Sequence, residues 1–309
     1  MTPRIERKKQ VRTAKYQQIL FWTARYGDCC RAAQWLLDHG TDAGMSSHNG
    51  RSALLWAAET GQLAMVRLLL NHGAPIDRPD KAGQTPLMTA GAWKHTEVFR
   101  TLLSHGADVH AQDRSRRTAL HQAAASGQAD LAALLLKKGA AVDAQNSTGA
   151  TPLMEAAKAG FLVTVRCLIK HGANVKARTQ QGDTALIVAA DAEIQLCLLE
   201  KGADVNAQGF YGWSALTRAA AYGKLDSVKL LSAHGANLEM AIKSRETALL
   251  LAVQRRHGDM AEFLLRKGAD ASAKDFYGRT VIKIAQDAED KEMLHLLNRY
   301  GANRKRTIP

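Results

Sequence analysis

Apolar residues along this chain gather in short blocks at helical spacing. Between residues 98 and 103, Val98, Leu102 and Leu103 stand at i, i+4 and i+5, the stripe of a short helix that buries one face. A smaller block precedes it and opens on Thr85-Pro86, an N-cap hydroxyl followed by a ring pre-set for the first helical turn. That block carries Ala90 and Gly91, and its counterparts carry Ala57/Ala58, Ala123/Ala124, Ala156/Ala157, Ala189/Ala190 and Ala219/Ala220. Small residues there let neighbouring helices approach closely. The leucine-rich helix stops at His105-Gly106, where glycine takes a left-handed conformation and the basic residue meets the negative helix end. The pattern predicts two helices, an extended arm "ADVHAQD" and a turn.

This pattern recurs. A glycine closes the leucine-rich block at 40, 73, 106, 139, 172, 202, 235, 268 and 301, and a leucine lies four residues before each of them. The spacing is 33 residues except between Gly172 and Gly202, where it is 30. The three missing residues fall around Asp191 to Glu193, where one helix passes to the next, and read as a loop deletion or as a local bend. Turn glycines at 50, 83, 149, 182, 212 and 278 lie two residues before the next cap. Arg116 and Arg245 replace them in two units, so those tips must be strained or bend differently.

With period, cap and arm in view, the chain resembles an ankyrin-repeat protein. The family's Thr-Pro-Leu-His element is matched by "TPLM" at Thr85 and Thr151, "TALH" at Thr118, "TALI" at Thr184, "SALL" at Ser52, "SALT" at Ser214, "TALL" at Thr247 and "TVIK" at Thr280. The resemblance implies an all-α fold, a solenoid of antiparallel helix pairs with short β-hairpin-like loops and about nine units. Expected boundaries are a basic N-terminal tail at 1–14, an N-terminal capping repeat at 15–47, seven repeats at 48–274, a C-terminal capping repeat at 275–303 and a basic tail at 304–309. The end units are more polar because their outer sides face water.

The resemblance also implies that a partner protein binds on the concave side, at positions four, three and one before each cap and seven and eight after it. Seven of the chain's 17 aromatic residues fall there: Trp93, Phe210, Tyr211, Trp213, Tyr222, Phe276 and Tyr277. That concentration marks them as candidate partner-binding residues, since Trp and Tyr give large contact area at low entropy cost. Phe210, Tyr211, Phe276 and Tyr277 have an alternative use in packing on the next hairpin. Arg114, Arg117 and Arg255 occupy the same offsets, and "RSRR" at 114–117 is the densest basic point, which suits an acidic segment of the partner.

Charge and chemistry adjust this picture little. The net charge is +13, much of it at the ends: six basic residues in 1–15 against Glu6, and Arg304, Lys305 and Arg306 in the tail. A nucleic-acid-associated or nuclear regulator using these tails, or an adaptor that inhibits or recruits an enzyme, is therefore the competing reading. Four cysteines show neither zinc spacing nor a disulfide framework, and no run of about 18 apolar residues occurs, which suggests a soluble, monomeric protein of the cytoplasm or nucleus. His39, His72, His105, His171 and His234 repeat one position and read as helix-end groups, not as metal ligands. Ser104, His105 and Asp108 have their roles taken by helix end and arm, and no phosphate loop is present. Catalysis, metals and cofactors are not expected. Asn206, in "GADVNA", matches arms that resemble substrates of an asparagine hydroxylase.

Overall fold

A computed structural model describes residues 3–26, 30–47 and 49–300. The chain divides into two compact units, Met1–Ser147 and Thr148–Pro309. Among the described residues all regular structure is helical apart from two isolated bridges, Ser46 with Ser52 and Ala241 with Thr247. The first unit holds α1 (Pro3–Tyr26), α2 (Cys30–Asp38), α3 (Ala53–Thr60), α4 (Leu63–Asn71), α5 (Pro86–Ala92), α6 (Thr96–Ser104), α7 (Ala119–Ala125) and α8 (Ala129–Lys137). The second holds α9 (Pro152–Ala159), α10 (Leu162–Lys170), α11 (Ala185–Val188), α12 (Ala192–Glu200), α13 (Ala215–Ala221), α14 (Leu225–Ala233), α15 (Ala248–Gln254), α16 (Gly258–Arg266), α17 (Val281–Asp287) and α18 (Lys291–Arg299).

Each odd-numbered helix from α3 onward starts at a Ser or Thr in extended backbone. The hydroxyls of Ser52, Thr85, Thr151, Thr184, Ser214, Thr247 and Thr280 accept the N–H three residues on, which satisfies one of the open donors of the first turn. Five even-numbered helices, α2, α4, α6, α10 and α14, end at the repeated histidines, and Lys138, Lys201, Lys267 and Tyr300 stand at the ends of α8, α12, α16 and α18. Nδ1 of His39, His72, His105, His171 and His234 lies 2.7–2.9 Å from the carbonyl oxygen four residues back. A carbonyl can only accept, so each ring donates there and closes the helix end.

Within each unit like helices stack on like: α1, α3, α5 and α7 in the first, α9, α11, α13, α15 and α17 in the second, with the even helices forming a parallel row. The repeated leucine sits at the centre of this stack; Leu69, Leu102, Leu135, Leu168, Leu198, Leu231, Leu264 and Leu297 are fully buried. Truncating one of them to alanine costs about 2–5 kcal/mol, because rigid layers on both sides cannot close the void.

Three details depart from the expectations or sharpen them. Helix α1 begins at Pro3 and runs through residue 14 without a break, so the expected boundary between tail and cap is not a boundary of secondary structure; residues 304–309 lie outside the described residues. Arg116 and Arg245 keep the left-handed conformation of the glycines they replace, with φ of 59° and 62°, so those tips are strained and not rebuilt. Finally, the short interval removes helix and not loop. Helix α11 is four residues long where its counterparts have seven or eight, and it gives way at Ala189 (φ −54°, ψ 134°). Asp191 then caps α12, its Oδ1 accepting from Ile194 N–H at 3.0 Å.

Candidate functional site

The hairpin tips are built by a side chain five residues before the cap. Oδ1 of Asp80, Asp113 and Asp275 each accepts two backbone N–H groups, two and four residues on, at 2.8–3.0 Å. Burial pushes the Asp275 carboxyl up, but the N–H groups of Arg279 and Tyr277 and the guanidinium of Arg279, 2.8 Å away, outweigh it and hold the group below the ordinary carboxylate range. One backbone bond then joins successive tips, as from Lys243 N–H to Tyr211 C=O (2.8 Å) and from Phe276 N–H to Ser244 C=O (2.9 Å).

On this frame the predicted residues take up different positions. The rings of Phe210 and Tyr211, tilted by 59°, have centroids 3.8 Å apart on a single 3₁₀ turn, Phe210–Gly212, and Lys243 of the next hairpin stands 5.1 Å from the Tyr211 ring. Position 209 is glycine, so Asp183 of the preceding tip supplies the carboxylate that accepts Phe210 N–H at 3.2 Å. The two rings remain 41% and 51% exposed. Phe276 and Tyr277 meet edge to face at 5.7 Å on the last tip and are more open. Trp93 stands exposed at the end of α5 in the first unit; Arg114 is exposed and Arg117 half-buried on a tip there.

Trp213, Tyr222 and Arg255 are brought together. With Arg218 and Ala221 they line a recess of about 310 Å³ in the second unit. Trp213 is half-buried against the stack, whereas Tyr222, at the end of α13, is two-thirds exposed with the Arg218 guanidinium 6.0 Å from its ring. Arg218 and Tyr222 also border a second recess, about 230 Å³, that opens where α11 stops short; Lys158, Val188, Gln195 and Lys224 line it. A third, about 290 Å³, continues from Lys158 and Val188 to Glu155 and Asp183. Shared residues make the three one groove.

Two features escaped the sequence reading. Gln195 and Lys224 border the groove but lie outside the five offsets considered; the visible signal was a glutamine in a position that is otherwise apolar. In the first unit, the exposed rings of Trp22 and Tyr26 meet tilted with centroids 4.7 Å apart, while the guanidinium groups of Arg25 and Arg51 lie 4.4 and 4.0 Å from the Trp56 ring. Phe21, Trp22, Arg25, Tyr26 and Trp56 line a recess of about 480 Å³. Arg51 is also paired with Glu59. Trp56, four residues after its cap, lies outside the offsets too.

Ser104 Oγ and His105 Nδ1 both donate to the Thr101 carbonyl, at 2.8 Å each, which commits hydroxyl and imidazole to the helix end. Among the described residues no group of three or more His, Cys, Asp or Glu is placed to hold a metal, and no helix is long and apolar enough to cross a membrane. What the groove offers is aromatic surface, guanidinium and ammonium groups with the carboxylates of Glu155 and Asp183 at one end, and a layered floor.

A stack of capped helix pairs joined by tips is the architecture of a repeat-built interaction surface, and the comparisons define its kind. A family model described as "Ankyrin repeats (3 copies)" matches residues 20–113, 120–209, 164–241, 195–275 and 216–307. The chain belongs to the ankyrin-repeat family. It is 36% identical to B-cell lymphoma 3 protein homolog of Mus musculus over 95 residues, 30% of this chain and 21% of that protein. Over 81 residues it is 36% identical to Ankyrin repeat and SOCS box protein 2 of Bos taurus, 26% of this chain and 13% of that one. To Neurogenic locus notch homolog protein 1 of Xenopus laevis it is 35% identical over 111 residues, 36% of this chain and 4% of that protein. The aligned stretches thus span a quarter or less of these relatives. Ankyrin repeats are protein-interaction modules and are typically not enzymes.

Proposed function

We propose that this chain is a non-catalytic adaptor that binds an extended, acidic segment of a partner protein along the groove of its second unit. The observation that carries this reading is the convergence of Trp213, Tyr222, Arg218 and Arg255 on one recess. Aromatic and arginine side chains dominate binding energy at protein interfaces, and a rigid array loses little entropy when it binds. The partner's acidic groups face Arg218 and Arg255; its apolar groups lie against Tyr222 and the edge of Trp213. Trp93, Arg114 and Arg117 form a separate contact region of the first unit, and Phe210, Tyr211, Phe276 and Tyr277 supply the rim at the tips. The protein works as a monomer in the cytoplasm or nucleus.

The test is panning a displayed random dodecapeptide library on the immobilised full chain. Enriched peptides carry Asp or Glu, and Tyr222→Ala weakens their binding by a factor of about 30 or more, the scale of an interface anchor of ~2 kcal/mol, while the circular dichroism spectrum is unchanged. Equal binding by the variant defeats the reading.

A further inference from the structure

Position four of α4, α6, α8, α10, α14 and α16 is a buried apolar column, filled by Val66, Phe99, Ala132, Val165, Val228 and Ala261. In the α5–α6 layer this side chain packs under the end of the odd-numbered helix: a Cβ added to Gly91 in α5 would lie 3.2 Å from the Phe99 ring. In the layer of α11 and α12 both halves of this contact change. The last turn of α11 is missing, and the column residue is Gln195. Gln195 is 3% exposed, its Oε1 has no hydrogen-bond partner, and it lines the recess that the lost turn leaves. A buried carboxamide oxygen without a partner is costly, of the order of 1–3 kcal/mol, so its presence needs a reason.

The surroundings point to what would satisfy it. Lys158, Arg218 and Lys224 border the same recess, and among the described residues none of them forms an ion pair. The carboxylate that terminates the shortened link, Asp191, is taken up in capping α12. Ala190 is held from both sides, its N–H donating to Ala157 C=O at 2.9 Å and its carbonyl accepting from Lys224 Nζ, so the mouth has a fixed edge. The last side-chain torsion of glutamine is broad and two-fold, and a small rotation turns its polar atoms to the floor.

Resting on the reading of the groove given above, we infer that the missing turn makes a notch in which Gln195 hydrogen-bonds a backbone amide of the bound segment, with an acidic side chain of that segment beside it facing Lys158, Arg218 and Lys224. The occupant is a peptide in extended form, whose unpaired backbone offers an N–H to the Gln195 oxygen.

A peptide enriched from the dodecapeptide library against the full chain is the probe. Gln195→Val restores the apolar column and keeps or raises the melting temperature, yet weakens this peptide about tenfold, the loss of one buried hydrogen bond. N-methylation of one peptide amide produces the same loss on the wild type and none beyond it on Gln195→Val. Replacing the peptide's acidic residue by alanine costs less on Lys158→Ala/Lys224→Ala than on the wild type. If Tyr222→Ala weakens the peptide but Gln195→Val does not, the notch is a packing accommodation only: this inference falls and the groove stands. If neither substitution matters, or no peptide is enriched, both fall.

Discussion

Arg116 and Arg245 show how single residues carry the cost of a repeated backbone. Both adopt φ near +60°, a conformation that costs a residue with a Cβ about 1–2 kcal/mol, while glycine in the same place loses about 0.5–1 kcal/mol in extra chain entropy. Arg116→Gly therefore raises stability by about 0.5–1 kcal/mol in urea unfolding, and Arg116→Ala leaves it nearly unchanged; a gain from alanine equal to that from glycine would place the effect in the lost guanidinium instead. At this scale the sequence was informative. Capping hydroxyls, helix-end histidines and tip glycines act on neighbours within four residues, so their spacing alone reveals their partners. Trp56 was not legible in this way, because Arg25, one of the two arginines over its ring, comes from the preceding helix layer and no offset within the repeat connects them.

The element that differs from its siblings is α11, and its link to α12 shows what a lost turn requires. In the other layers of the second unit a residue with positive φ joins the helices, as at Gly160, Gly223, Arg256 and Glu289. Here no such residue remains, and Asp191 replaces the turn with a direct side-chain cap on α12. Among the other even-numbered helices Gln62, His95, Gln128, Phe161, Lys224 and His257 hold the equivalent place without a side-chain cap, and Asp290 caps α18 as Asp191 caps α12. Asp191→Ala thus costs about 1 kcal/mol in urea unfolding, and Asp191→Asn, which still caps, only a few tenths. Equal losses in the two would show that charge at the helix N-terminus, and not the cap, holds α12. That an interval was short could be read directly. That the deletion fell in a helix, and that Gln195 then bordered a recess, required the neighbouring layers on both sides.

An array of stacked units is held together by contacts between nearest neighbours, so its cooperativity is set by the weakest layer. The α11–α12 layer offers half the usual length of odd helix to α9 and α13, and it is the weak coupling of the second unit. The five tryptophans divide around it: Trp22, Trp35, Trp56 and Trp93 precede the layer and Trp213 follows it. Fluorescence therefore distinguishes the two sides. Subtracting the urea-unfolding curve of Trp213→Phe from that of the wild type isolates the Trp213 signal, and its midpoint differs from that of the other four. Asp191→Ala widens the gap by loosening the layer further, whereas inserting three residues between Ala189 and Ala190 to restore the 33-residue spacing draws the two midpoints together. Coincident transitions in both the wild type and Asp191→Ala would mean that the packing of α12 against α10 and α14 carries the full coupling, and the short helix would then be a feature of the groove alone.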